Sequence, residues 1–186
     1  MKKERLLELL ADNPIIAAVN EDGFEAALAS PADVIFCLHA SILTIADRVK
    51  RAHAAKKVIF VHVDLADGIG RDRQGVAYLA SLGVDGVIST RTQLVRAARE
   101  EGVLSVQRFF ALDSQGLSSM EETLEGTAPD LLEIMPGVIG KVIARVATGK
   151  TPVIAGGLVE TKEELFAALS NGAIAVSTGK KELWYM

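Results

Sequence analysis

Short apolar runs rich in Ile and Val recur along the chain, at residues 15–19, 34–38, 58–64, 86–90, 104–108, 131–135, 153–155 and 173–177. They are nearly continuous rather than alternating, which predicts strands buried on both faces. Between them apolar residues follow helical spacing, as in Ile42-Ile45-Ala46-Val49-Ala52, Leu94-Val95-Ala97-Ala98, Met120-Leu124 and Leu165-Phe166-Leu169. Gly83, Gly102, Gly149 and Gly172 each stand just before the next apolar run, where a glycine ends a helix without steric cost. Thr161-Lys162-Glu163-Glu164 has the spacing of a capping box opening the seventh of these helices. Leu6-Leu7-Glu8-Leu9-Leu10 is too interrupted by Glu8 and Asp12 for a secretory leader and has no small-residue cleavage site, so residues 2–11 are expected to form a short amphipathic helix.

Strand and helix alternate throughout with no linker between halves, and that order predicts a parallel sheet. Eight units favour closure over an open doubly wound sheet. The expected fold is therefore α/β, a small (β/α)8 TIM-type barrel of parallel strands forming one domain over residues 1–186, with the helix at 2–11 plugging its bottom. An open α/β sheet is the alternative.

Composition narrows the function. With 49% hydrophobic but only 5% aromatic residues, the core must be built mainly of Ala, Val, Ile and Leu. A net charge of −4 excludes a surface that is basic all over, so any nucleic-acid contact needs a local patch. Cys37 is the only cysteine and lies inside an apolar run, which fits a buried, inert thiol in a reducing cytoplasm. No apolar run approaches the roughly 20 residues needed to span a bilayer. A soluble, cytoplasmic protein is expected.

The strand ends carry the chemistry, because a barrel of this kind binds its ligand there. His39 ends the second run, His62 and Asp64 the third, Ser89-Thr90-Arg91 the fourth, Gln107-Arg108 the fifth, and Glu133 lies in the sixth. His62 and Asp64 are two apart and should point the same way, while Glu133 between Leu132 and Ile134 should face the barrel interior. His62, Asp64, Arg91, Gln107 and Glu133 are thus candidate contacts to a polar ligand, with a ligand-free salt-bridge lattice as the plainer alternative. Ala155-Gly156-Gly157 and Ser177-Thr178-Gly179 follow the seventh and eighth strands, the recurrent phosphate site of such barrels. Lys141 falls in a helix, so the sixth strand and its neighbours offer no Schiff-base lysine. No catalytic set and no metal site stand out, although His39, His62, Asp64 and Glu133 are of ligating types. An enzyme would use Asp64 or Glu133 as base and His62 as acid in sugar-phosphate isomerisation.

An ordered set of motifs, His62-Val63-Asp64-Leu65, Gly68-Ile69, Gly75, Ile88-Ser89-Thr90-Arg91, Gln107-Arg108, Leu112-Asp113-Ser114, Pro129-Asp130, Glu133 with Pro136-Gly137, Ala155-Gly156-Gly157-Leu158 and Leu183-Trp184, resembles the glycerol-3-phosphate-responsive antiterminators from about Ile15 to Trp184. The resemblance implies a barrel that binds glycerol 3-phosphate as an effector, needs no cofactor, and acts on a leader mRNA so that polymerase reads through a terminator ahead of glycerol genes. It places the phosphate on Gly156-Gly157 and Ser177-Thr178 and the hydroxyls among Asp64, Arg91, Gln107 and Glu133.

The RNA surface is less marked. There is no RNA-recognition motif and no run of aromatics for base stacking, and no RNA-binding tail is expected after Trp184. Arg48, Lys50, Arg51, Lys56 and Lys57 read best as a solvated helix face, and Arg71 and Arg73, in the loop after the third strand, are the candidate RNA contacts. A barrel enzyme acting on a small phosphorylated metabolite and a sensor contacting another protein are the competing functions; a homo-oligomer is compatible with all three.

Overall fold

In the computed structural model, residues 1–111 and 114–186 are described, with side chains throughout except at 114, 115, 118, 119, 121, 122 and 125. Leu112 and Asp113 of the resemblance lie outside the described residues. The chain order is α1 (Lys3–Asp12), β1 (Ile15–Val19), α2 (Phe24–Ala29), β2 (Val34–Cys37), α3 (Ile45–Ala54), β3 (Val58–His62), α4 (Arg73–Ser81), β4 (Gly86–Ser89), α5 (Thr92–Glu100), β5 (Leu104–Phe110), α6 (Ser114–Thr127), β6 (Leu131–Met135), α7 (Gly140–Val146), β7 (Val153–Gly156), α8 (Lys162–Ser170) and β8 (Ala175–Thr178). The strands close into a barrel in sequence order, and β1 pairs in parallel with both β2 and β8. This is the (β/α)8 barrel that the alternation predicts, and the open sheet is set aside.

Side-chain alternation divides the strands between two cores. Ile16, Val34, Phe36, Val58, Phe60, Ile88, Val106, Leu131, Ile154 and Ala175 fill the barrel, while Ala17, Ile35, Val61, Val87, Leu132 and Val176 face the helices. Gly86 leaves space for the Phe60 ring, which a Cβ there would strike. Leu6 and Leu10 of α1 are 1% exposed and pack with the interior set, so α1 closes the end of the barrel from which the strands start. The capping box is present on α8: Thr161 accepts from the Glu164 N–H, and Glu164 accepts from the Thr161 N–H. Cys37 is buried on the helix side, and burial raises its thiol pKa despite the Arg48 guanidinium.

Of the five basic residues expected on a solvated face, Lys50, Arg51 and Lys56 are exposed, but Arg48 and Lys57 are fasteners instead. Arg48 donates to the His39 and Glu21 carbonyls, Arg51 reaches the Glu25 carboxylate, and the Lys57 ammonium donates to the Ser30 and Ala32 carbonyls at 2.6 and 2.8 Å. They hold α3 and the start of β3 against their neighbours.

Candidate functional site

The ends of β1, β2, β5, β6, β7 and β8 enclose a cavity of about 320 Å3 at the barrel mouth. That lies near the lower end of small-molecule pockets, which run from roughly 300 to 1,000 Å3. Its floor is one buried group. Glu133, fully buried, accepts from Arg108 Nε on the neighbouring strand at 2.6 Å through Oε2, and from the Ser177 hydroxyl at 2.5 Å through Oε1. Arg108 and Glu133 are register partners, so β5 and β6 present them side by side. Only Nε of the Arg108 guanidinium has a partner among the described residues, and its two terminal nitrogens are left over where it lines the cavity. A buried guanidinium with donors in hand is a ready anion site, since its planar fork matches phosphate oxygens.

The glycines follow from this floor. A Cβ on Gly156 would meet the Glu133 carboxylate and, at 2.8 Å, the Ser177 hydroxyl. Gly137, after β6, donates its N–H to the Gly156 and Gly157 carbonyls at 2.6 and 3.0 Å. Gly157 has φ of +71° and abuts Met135. These contacts bring the β7 loop down over the mouth, where the backbone of Gly157, Leu158 and Val159 faces Gly179 and Lys180 across the cavity.

The expected phosphate residues are brought together, but several of them act differently. The Ser177 hydroxyl donates to Glu133 and that of Thr178 to the Val159 carbonyl at 2.8 Å, so neither proton is free for a ligand. Ala155 faces the helices. What remains for an anion is the Gly157 and Gly179 backbone with Arg108, joined by Lys180 and Asn20, which sequence reasoning missed, while Gly156 packs on Glu133 behind the cavity wall. Among the described residues the Lys180 ammonium meets only Glu160, at 3.5 Å, both side chains about half exposed; such a pair is worth little and leaves the ammonium available to an anion. A lysine directly after the Ser-Thr-Gly motif was the available signal.

The remaining candidates separate. His62 is inward, in alternation with Val58 and Phe60, and is 3% exposed with no partner for Nδ1 among the described residues. Burial, reinforced by the Arg108 charge, lowers its pKa from 6.5 to about 4, so the ring is neutral. Asp64 does not follow it. β3 ends at His62 and Val63–Leu65 turns as a 3-10 helix, so strand alternation no longer applies. The Asp64 carboxylate instead accepts from the Ser89 hydroxyl and from the Thr90 N–H and hydroxyl, at 2.7–2.9 Å, with Arg91 Nε 3.7 Å away. Desolvation opposes its charge, but these hydrogen bonds prevail and keep its pKa below the ordinary value. Asp64 and Arg91 therefore brace the β3 and β4 loops to each other.

Gln107 also departs from expectation. It alternates with Leu104, Val106 and Arg108 and pairs with outward-facing Leu132, so it faces the helices and not the mouth. It is fully buried there, and neither amide atom has a partner among the described residues. Arg73 is held between Glu100 (3.3 Å) and Glu101 (3.8 Å) at the end of α5, whereas Arg71 is exposed with no ion pair among the described residues. Among the described residues no cluster of three or more ligating side chains could hold a metal ion, and no helix is long and apolar enough to cross a membrane.

Trp184 is 1% exposed and donates its indole N–H to the Thr178 carbonyl at 2.8 Å, and Leu183 and Trp184 pack into the core between the barrel and its helices, which ties this segment to the end of β8.

Comparison with known proteins agrees with this arrangement. Uncharacterized protein YgcP of Escherichia coli strain K12 is 36% identical over 182 residues, 96% of this chain and 95% of that protein. The crystal structure of a glycerol uptake operon antiterminator regulatory protein from Listeria monocytogenes strain 4b F2365 superposes with a TM-score of 0.88 at 32% identity, covering 93% of this chain and 95% of the other. That of a glycerol uptake operon antiterminator-related protein from Thermotoga maritima MSB8 gives 0.84 at 33%, covering 92% and 98%. The glycerol-3-phosphate responsive antiterminator family matches residues 15–184. With the match spanning β1 through Trp184, the chain belongs to the glycerol-3-phosphate responsive antiterminator family.

Proposed function

We propose that this protein is a cytoplasmic regulator of a glycerol uptake operon, which binds glycerol 3-phosphate in the barrel mouth and then acts on a leader mRNA to permit transcription through a terminator. The observation that carries the ligand reading is Arg108, buried on Glu133 through Nε alone and lining a small cavity beneath the β7 glycines. Its terminal nitrogens would take the phosphate together with the Gly157 and Gly179 backbone and Lys180, while the hydroxyls would meet the Asn20 side chain. Family membership supports both the ligand and the RNA target.

An effector role suits these residues better than turnover, and no cofactor is called for. Both oxygens of Glu133 are engaged by Arg108 and Ser177, and Asp64 is held by three hydrogen bonds from β4. Neither carboxylate is poised as a base within reach of an open substrate position.

Calorimetric titration of glycerol 3-phosphate tests the reading directly. Saturable binding to the intact protein that disappears in Arg108→Met, together with ligand-dependent retention of a terminator-bearing leader transcript, is the expected result. Absence of binding to the intact protein would sink the sensor, and steady turnover of a triose phosphate would replace it with an enzyme.

A further inference from the structure

A second cleft lies at the closed end of the barrel, away from the mouth. It has a volume of about 340 Å3 and is walled by Lys3 of α1, Arg99 near the end of α5, the turn before β6 and the Lys150-Thr151 turn before β7. Three cations thus converge on one concavity from three separate elements. None of Lys3, Arg99 or Lys150 has an ion pair or side-chain hydrogen bond among the described residues. One acid stands on the wall, Asp130, whose Oδ2 accepts from the Ser105 N–H and hydroxyl at 2.9 and 3.1 Å, so the cations lining the cleft outnumber its carboxylate three to one. In a chain of net charge −4, three cations facing one carboxylate around one cleft still form a local field of the opposite sign. Lys150 and Thr151 also line an adjoining cavity of about 560 Å3, whose floor of Met120, Leu124 and Leu132 is apolar.

We infer that this cleft, and not the Arg71–Arg73 loop, seats the sugar-phosphate backbone of the RNA; the inference rests on the RNA reading given under Proposed function. Successive phosphates would bridge Lys3, Arg99 and Lys150, and the apolar floor beside Lys150 would take the face of an unstacked base without reading its sequence. Arg73, by contrast, faces two carboxylates, Glu100 at 3.3 Å and Glu101 at 3.8 Å, which lower the local positive potential there. The placement also supplies a physical tie to the effector. Ser105 on β5 and Asp130 just before β6, hydrogen-bonded to each other, line the cleft, while Arg108 and Glu133, each three residues further along the chain, line the mouth. About 10 Å of β5–β6 ladder separates the two pairs.

The test uses the full chain, a 30-nucleotide polyuridine RNA and a terminator-bearing leader transcript from a glycerol uptake operon, with affinity measured against salt concentration. A Lys3→Gln/Arg99→Gln/Lys150→Gln protein should bind both RNAs roughly tenfold or more weakly, and its log–log salt slope should be shallower by about 2, because about 0.7 counterion is released per single-strand phosphate contact. Glycerol 3-phosphate titration of the same variant should be unchanged, which shows that it is folded and that the mouth is intact. Equal RNA affinity and slope in variant and parent would overturn the cleft while leaving the RNA reading standing. Loss on Arg71→Gln/Arg73→Gln instead would move the surface to the loop. If the parent binds glycerol 3-phosphate but neither RNA at low salt, the RNA reading itself fails, and the cleft assignment with it; capture of an acidic protein by the same three cations would be the replacement.

Discussion

Arg108 donates through Nε to Glu133 Oε2 across the β5–β6 ladder at 2.6 Å, and both side chains are buried at the floor of the mouth. Removing one member of such a pair leaves the other charge desolvated and unmatched, at a cost of roughly 3–5 kcal/mol. Arg108→Ala and Glu133→Ala are each expected to fall in that range by urea denaturation. Arg108→Met/Glu133→Leu should recover most of the stability without recovering ligand binding. Stability and binding are then separable at one site.

Gly156→Ala tests the close approach above this pair. Its new methyl would meet the Glu133 carboxylate and the Ser177 hydroxyl. Forcing a group into a filled site typically costs about 1–3 kcal/mol. A glycerol 3-phosphate affinity that drops sharply, alongside a modest fall in urea midpoint, is the expected outcome. An unchanged affinity would show that the ligand does not sit against β7.

His62 should make the protein sensitive to mild acid. Its pKa is lowered from 6.5 to about 4 by burial and by the Arg108 charge. Between those values the unfolded chain holds the proton and the folded protein does not, so stability falls as pH drops from about 6.5 to about 4 and is level in this respect above 6.5. The difference corresponds to roughly 3 kcal/mol, at about 1.4 kcal/mol per pH unit. Asp64, with its pKa held below 3.8, contributes its own loss only further down. Urea midpoints measured from pH 7 to 4 should decline in the parent and much less in His62→Phe; parallel declines would rule out His62 as the source.

Leu10 closes the bottom of the barrel from α1, beside Leu6 and the interior residues Ile16 and Val34. Leu10→Ala is expected to destabilise by about 2–5 kcal/mol, the range for buried leucine truncations. Glycerol 3-phosphate affinity measured under folding conditions should stay within a factor of a few, since the mouth lies at the other end.

The barrel was legible from residue patterns because its strands are buried on both faces and its helices on one. That constraint writes eight apolar runs and their glycine stops directly into the chain, and it holds for the plug at Leu6 and Leu10 and the cap at Thr161. The glycine pair and Glu133 were legible for a related reason: a charged residue between Leu132 and Ile134 has to face inward, and a backbone packed onto it has no room for a Cβ. Alternation also implies that Gln107 faces away from Arg108, but a list of polar strand ends does not apply it. Other features depended on the tertiary structure. Where β3 stops, and hence where Asp64 points, is decided by the Ser89 and Thr90 donors of the next strand, 25 and 26 residues away. The convergence of Lys3, Arg99 and Lys150 likewise exists only once barrel closure brings α1, α5 and the turn before β7 to one end. Local sequence determines burial and periodicity, because each acts within a few residues; which polar groups find partners, and which are left facing a cavity, is settled by contacts between residues far apart in the chain.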